Sequence, residues 1–133
     1  MAYYKDLTPY EYMVINENAK VLNVGWLERG QSFPTGKVDL DCLAIIGVLC
    51  KNPFIKTRGY HKCPFCSSAS FGYSVTIDNH TLLLGSSEIR VHGESGILYA
   101  APDLIYHYIR DHNYLPPDEF ISAVYKVKQE KKL

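Results

Sequence analysis

Apolar positions along the chain change period twice, and each change marks a new kind of element. From residue 40 to 51 they recur at helical spacing. At about 100° per residue, Cys42, Leu43, Ile46, Leu49 and Cys50 share one face, with Asp41, Ala44, Val48 and Lys51 opposite. Asp39 can cap this helix and Asn52-Pro53 stops it. Beyond residue 70 the period falls to two. Phe71–Ile77, Thr81–Leu84, Ser87–His92 and Ile97–Ala100 read as strands, with turn signals at Asp78-Asn79 and Gly93-Glu94-Ser95-Gly96. Connections this short predict an antiparallel meander.

The helical period then returns. Pro102 suits a first helical turn and Asp103 its positive end, so a helix is predicted to His112. Pro116-Pro117 opens a last helix, with Asp118 and Glu119 in its first turn and Phe120, Ile121, Val124 and Val127 as its apolar stripe. Upstream, Val21–Leu27 reads as a short strand and Gly30–Gly36 as a loop. Residues 1–20 carry turn residues at Asp6–Pro9 and Asn16–Asn18 and read as an ordered but irregular lead-in. The expected fold is a single α+β domain over residues 1–133: an antiparallel meander of about four strands, three flanking helices, a metal-binding loop and a tail fraying from residue 126.

Composition narrows the role. A chain of 133 residues, 47% hydrophobic and 21% charged, can bury a core without a metal to replace it. Lys+Arg and Asp+Glu number 14 each, and that zero net charge argues against general nucleic-acid or membrane-surface binding. No stretch approaches the roughly 20 apolar residues of a membrane span, and Met1–Asp6 does not open a signal peptide. A cytoplasmic location is expected, where thiols stay reduced and the four cysteines read as metal ligands or core residues. Cys42 and Cys50, eight positions apart on one helix, would have Cα atoms about 12 Å apart, too far for a disulfide. The 11 tyrosines, four within the first twelve residues, suit either the rim of a core or a surface that recognises another protein.

The strongest chemical signal is His61-Lys-Cys63-Pro-Phe-Cys66. A C-x-x-C turn aims two sulfurs at one centre, and a preceding imidazole adds a third donor; zinc is the expected ion. A closed site needs a fourth ligand. His107 is the first choice, because Asp111 at i+4 can accept its second N–H; Cys50 is the alternative. His112 falls in the middle of the apolar face formed by Leu104, Ile105, Tyr108 and Ile109, and reads as a core histidine bonded to a backbone group. A thioredoxin-like pair would need the C-x-x-C at a helix N-terminus after a strand, a context absent here.

Catalytic signals are sparse. With only three ligands the ion would keep an open position for water, and a small zinc-dependent hydrolase could use Glu88 as base with Arg90 on the same strand face. Those two residues read more simply as an ion pair. His92-Gly-Glu94 matches half of a nucleobase-deaminase signature, but the order is reversed and Pro64 sits inside the cysteine pair.

Three blocks carry a family resemblance: Thr57-Arg-Gly-Tyr-His-Lys-Cys-Pro-Phe-Cys66, Leu84-Gly-Ser-Ser-Glu-Ile-Arg-Val91, and Tyr99-Ala-Ala-Pro-Asp-Leu-Ile-Tyr-His-Tyr-Ile109 continuing through His112-Asn-Tyr-Leu-Pro-Pro-Asp-Glu-Phe-Ile121. With the Gly25-Trp26-Leu27 segment, they resemble a family of small bacterial proteins of unknown function. The resemblance implies a bacterial cytosolic protein and a shared H-x-C-x-x-C loop and Tyr-His-Tyr helix, but no activity. The expected role is a metal-stabilised binding module, of accessory or immunity type, whose partner is another protein.

Overall fold

A computed structural model describes residues 3–10, 20–56, 62–66 and 73–131. Among these residues, three helices and two small sheets form one α+β domain. The elements in order are β1 (Lys20–Asn23), α1 (Leu40–Lys51), β2 (Ile55–Lys56), β3 (Tyr73–Ile77), β4 (His80–Leu84), β5 (Ser87–His92), β6 (Ile97–Pro102), α2 (Ile105–His112) and α3 (Asp118–Lys131).

The four strands expected after residue 70 are present and antiparallel in pairs, but they divide between sheets. β3 and β4 form a two-stranded hairpin, whereas β5 and β6 join the larger sheet, ordered β1-β6-β5-β2. The break falls at Gly85-Ser86. Gly85 has φ 120°, in the region that favours glycine, and its N–H is held by the Asp103 carboxylate at 2.9 Å. The chain therefore turns out of the hairpin instead of continuing the ladder. β1 pairs parallel to β6, with Leu22 opposite Tyr99. The two-residue β2, opposite Glu88 and Ser87, was not legible in the alternation.

Pro102 corrects another expectation. It ends β6 opposite Glu88 rather than opening a helix. Asp103 N–H bonds to Ser87 O at 2.9 Å, which extends the ladder by one residue and delays α2 to Ile105. β1 likewise stops at Asn23, short of the predicted Leu27, because the chain bends at Gly25 with φ 81°. A Cβ there would lie 2.9 Å from Ile105 Cδ1, so the bend also seats β1 against α2.

Strand alternation separates two apolar layers. Leu22, Ile89, Val91, Tyr99 and Ala101 join the main core with Ile46 of α1, Tyr108 of α2 and Phe120 and Val124 of α3. The other face carries a smaller cluster of Tyr10, Trp26 and Ala100, with Tyr4 and Val21 against it. The lead-in supplies that cover: Leu7 N–H bonds to Asn23 O at 2.7 Å and Tyr10 N–H to Val21 O at 2.8 Å. Asp6 then staples it to the rest, accepting from Gly25 N–H at 3.0 Å and from the Tyr114 hydroxyl at 2.7 Å. No helix is long and apolar enough to cross a membrane among the described residues.

Candidate metal centre

Cys63 and Cys66 sit on a tight turn. Cys66 N–H points at Cys63 O at 3.4 Å, and Phe65 N–H points at Cys63 Sγ, also at 3.4 Å. An amide aimed at sulfur favours the thiolate over the thiol. Phe65, between the cysteines, packs on Phe33, Tyr108 and His112 at ring-centroid distances of 5.3, 5.9 and 5.3 Å. These apolar contacts lay the turn across the C-terminal half of α2.

Two histidines meet it there. Cys66 Sγ lies 3.2 Å from His107 Nε2 and 3.5 Å from His112 Nε2, and Cys63 Sγ lies 3.3 Å from His112 Nε2. All four donor atoms fall within 4.8 Å of one another, so the cluster could hold one metal ion. An ion bound tetrahedrally, with sulfur at about 2.3 Å and nitrogen at about 2.05 Å, would set S···N separations near 3.5 Å. The three sulfur–nitrogen separations of 3.2, 3.3 and 3.5 Å match that span to within a few tenths of an ångström.

His107 and His112 are five residues apart, which turns them about 140° round the helix. They straddle Tyr108, and the cysteine turn lies over the strip between them. His112 is the last residue of α2, where Asn113 adopts a left-handed conformation (φ 56°, ψ 26°) and its N–H bonds to Tyr108 O. The helix end thus places the His112 ring beside the turn.

The second nitrogen of His107 is also committed. Nδ1 lies 2.8 Å from Asp111 Oδ2, the carboxylate one turn on. Arg110 donates to the same oxygen from Nε at 3.2 Å and Nη2 at 3.1 Å, and Nη2 also reaches the Tyr73 hydroxyl at 3.2 Å. Tyr73 in turn stacks on His107 at 3.7 Å. The imidazole is therefore fixed in plane and tilt, with Nε2 left for the cluster.

The electrostatics favour a neutral imidazole. Burial lowers the His107 pKa and outweighs the pull of Asp111 in the other direction. Burial alone would raise Asp111, but hydrogen bonds from Arg110 and His107 prevail and hold it below the ordinary carboxylate value. Burial, with Cys66 beside it, pushes the Cys63 thiol up to about 11 despite the Phe65 amide. A thiol that holds its proton is a poor nucleophile, which removes support from a redox pair. A cation that replaces the proton reverses this balance. The Tyr108 hydroxyl is buried with no hydrogen-bond partner among the described residues, and Cys63, Asp103 and Cys66 all act on its charge. Such an orphan donor, within electrostatic reach of both sulfurs, suits a site whose thiols become thiolates.

The residues singled out in the sequence divide as follows. Cys63, Cys66 and His107 converge. His61 lies outside the described residues. Cys50 is absent from the cluster; its thiol faces Asp103 O at 3.6 Å, and burial with the Asp103 charge drives its pKa far up. His112, read from the helix wheel as a core residue, enters the cluster instead. Glu88 accepts from Arg90 Nη1 at 2.9 Å and from the Tyr10 hydroxyl at 3.0 Å. It forms an ion pair under the lead-in. A signal for His112 was available: Cys63-x2-Cys66 followed by His107-x4-His112 has the C-x2-C…H-x3–5-H spacing of a four-ligand site.

A family model described as a domain of unknown function (DUF7919) matches residues 2–125. The chain belongs to that family. Neither a curated protein nor a solved structure matches it. The DUF7919 match spans all four cluster residues and leaves out only residue 1 and residues 126–133.

Proposed function

We propose that Cys63, Cys66, His107 and His112 bind one zinc ion in a closed tetrahedral site, and that this clip stabilises a cytosolic module that recognises another protein. The observation carrying the metal reading is the convergence of two sulfurs and two imidazole nitrogens within 4.8 Å. Two thiolates and two neutral imidazoles are a borderline-soft donor set, which suits zinc better than the oxygen-seeking magnesium or calcium. Four protein donors fill the tetrahedron and leave no position for water, so the ion acts on the fold rather than on a substrate. Recognition of a protein partner is supported by the zero net charge and the 11 tyrosines. An accessory or immunity-type protein of a bacterium fits those features.

Metal analysis of the full chain, purified without added zinc, tests the site. Near-stoichiometric zinc is expected in the wild type and in Cys50→Ala, and its loss in Cys63→Ser, His107→Ala and His112→Ala. Full occupancy in His112→Ala would make His112 a bystander. A metal-free wild type would overturn the zinc reading. For the role, the test is affinity capture with the zinc-loaded protein alongside a hydrolase substrate screen. A discrete protein partner supports the module, whereas no partner together with measurable hydrolysis rules it out.

A further inference from the structure

The second apolar layer holds a cation that the metal reading does not use. The Arg90 side chain is 4% exposed. Its guanidinium lies between two rings, 4.7 Å from the centroid of Tyr10 and 4.5 Å from that of Phe54. Nη1 donates to Glu88 Oε2 at 2.9 Å. Among the described residues, neither Nε nor Nη2 has a hydrogen-bond partner, although both atoms are buried. These two nitrogens form the side edge of the guanidinium, whose parallel N–H bonds match the two oxygens of a carboxylate.

We propose that the Nε/Nη2 edge of Arg90 is a binding site for a carboxylate, which enters by displacing the Phe54 ring. Buried donors without acceptors are rare in folded chains, and two on one guanidinium edge point to a bidentate acceptor. Glu88 already balances the Arg90 charge, so a singly charged carboxylate is accommodated with less repulsion than doubly charged phosphate. Among the described residues that touch the guanidinium, Phe54 is the exposed one. It is 50% exposed, on the connection between α1 and β2. Tyr10 is fixed by contrast, buried and with its hydroxyl on both Glu88 oxygens. Opposite Arg90, the register partner on β6 is Ala100, buried against Tyr10 and Trp26, so that side of the guanidinium is closed and entry is from the Phe54 side. The site is independent of the cysteine–histidine cluster, so failure of the zinc reading leaves it standing.

The test is a titration of the full chain, as purified, with acetate, benzoate and inorganic phosphate at constant ionic strength. It is followed through the Arg90 Nε–H and Phe54 ring signals in NMR spectra. Saturable shifts with acetate and benzoate are expected, with phosphate weaker than either. Arg90→Lys keeps the charge but loses the edge, and should weaken benzoate by about tenfold or more. If Arg90→Lys does not fold, Phe54→Ala provides the second arm. Loss of this half-exposed cover should change the benzoate Kd by about threefold at unchanged melting temperature. No saturable shift up to tens of millimolar would mean the edge holds only water, and would overturn the assignment. So would undiminished binding in a folded Arg90→Lys, an unchanged Kd in Phe54→Ala, or phosphate binding tighter than both carboxylates.

Discussion

Two carboxylates near α2 have opposite fates, and each makes a separate prediction. Asp111 is held below its ordinary pKa by Arg110 and His107 and orients the His107 ring. Asp111→Ala should leave the fold intact but weaken zinc binding by roughly 10–100-fold, as loss of an outer-shell partner does. Competition with a chromophoric chelator measures it. Asp103 is buried, and burial raises its pKa to about 6 even though backbone N–H groups, Gly85 among them, stabilise its charge. A raised acid favours the folded state when protonated. Its stabilisation is complete below the unfolded value of 3.8 and is lost as pH rises through about 6. Relative to Asp103→Asn, the wild type should therefore gain roughly 3 kcal/mol between pH 7 and pH 3.5. Denaturant melts of both proteins in chelator test this, since metal release then contributes nothing. A pH-independent difference would show that Asp103 titrates normally.

The end of α2 is the element on which the candidate metal centre turns. His112 is its final residue, and Asn113 stops the helix in the left-handed region. Tyr114 N–H also returns to Tyr108 O, at 3.1 Å, so the stop is braced from both following residues. Asparagine tolerates this conformation, glycine more so, and alanine poorly. Asn113→Ala should destabilise the protein by about 1 kcal/mol and weaken zinc binding by misplacing His112, while Asn113→Gly stays close to wild type. Thermal melts with and without zinc separate the two variants. Equal behaviour of both would detach the helix stop from the site. The expected loop-and-helix pairing is present, but the turn itself covers part of the α2 apolar face. A histidine aimed at that cover is indistinguishable, on a helix wheel, from one aimed at the core.

For the whole molecule, the core and the proposed zinc clip would be distinct sources of stability. The main layer joins all three helices to the sheet through Ile46, Ile89, Tyr108, Phe120 and Val124. That burial does not need an ion, so removing zinc should weaken the domain without abolishing its fold. With free zinc about 1,000-fold above Kd, the ion adds about 4 kcal/mol. Chelation should then lower the melting temperature by roughly 15 °C while far-ultraviolet circular dichroism at 25 °C stays native-like. Calorimetry before chelation, after it and after zinc is restored checks this. Collapse to an unfolded chain in chelator would make the metal the organiser of the domain, as in small zinc fingers.

Local pattern determined α1 to the residue, the α+β class, the two hairpins and the cysteine turn, because each depends on spacing within a short stretch. Tertiary structure decided the rest. Pro102 stays in β6 because Ser87 takes the Asp103 amide, and Gly85 splits the strands into two sheets through a bond to a carboxylate eighteen positions on. That His112 joins the cluster and Cys50 stays outside it was likewise a matter of which side chain faced the turn once the helices had packed. Burial on a helix wheel gives direction only. What lies in that direction, a core or a cation site, is set by parts of the chain far away in sequence.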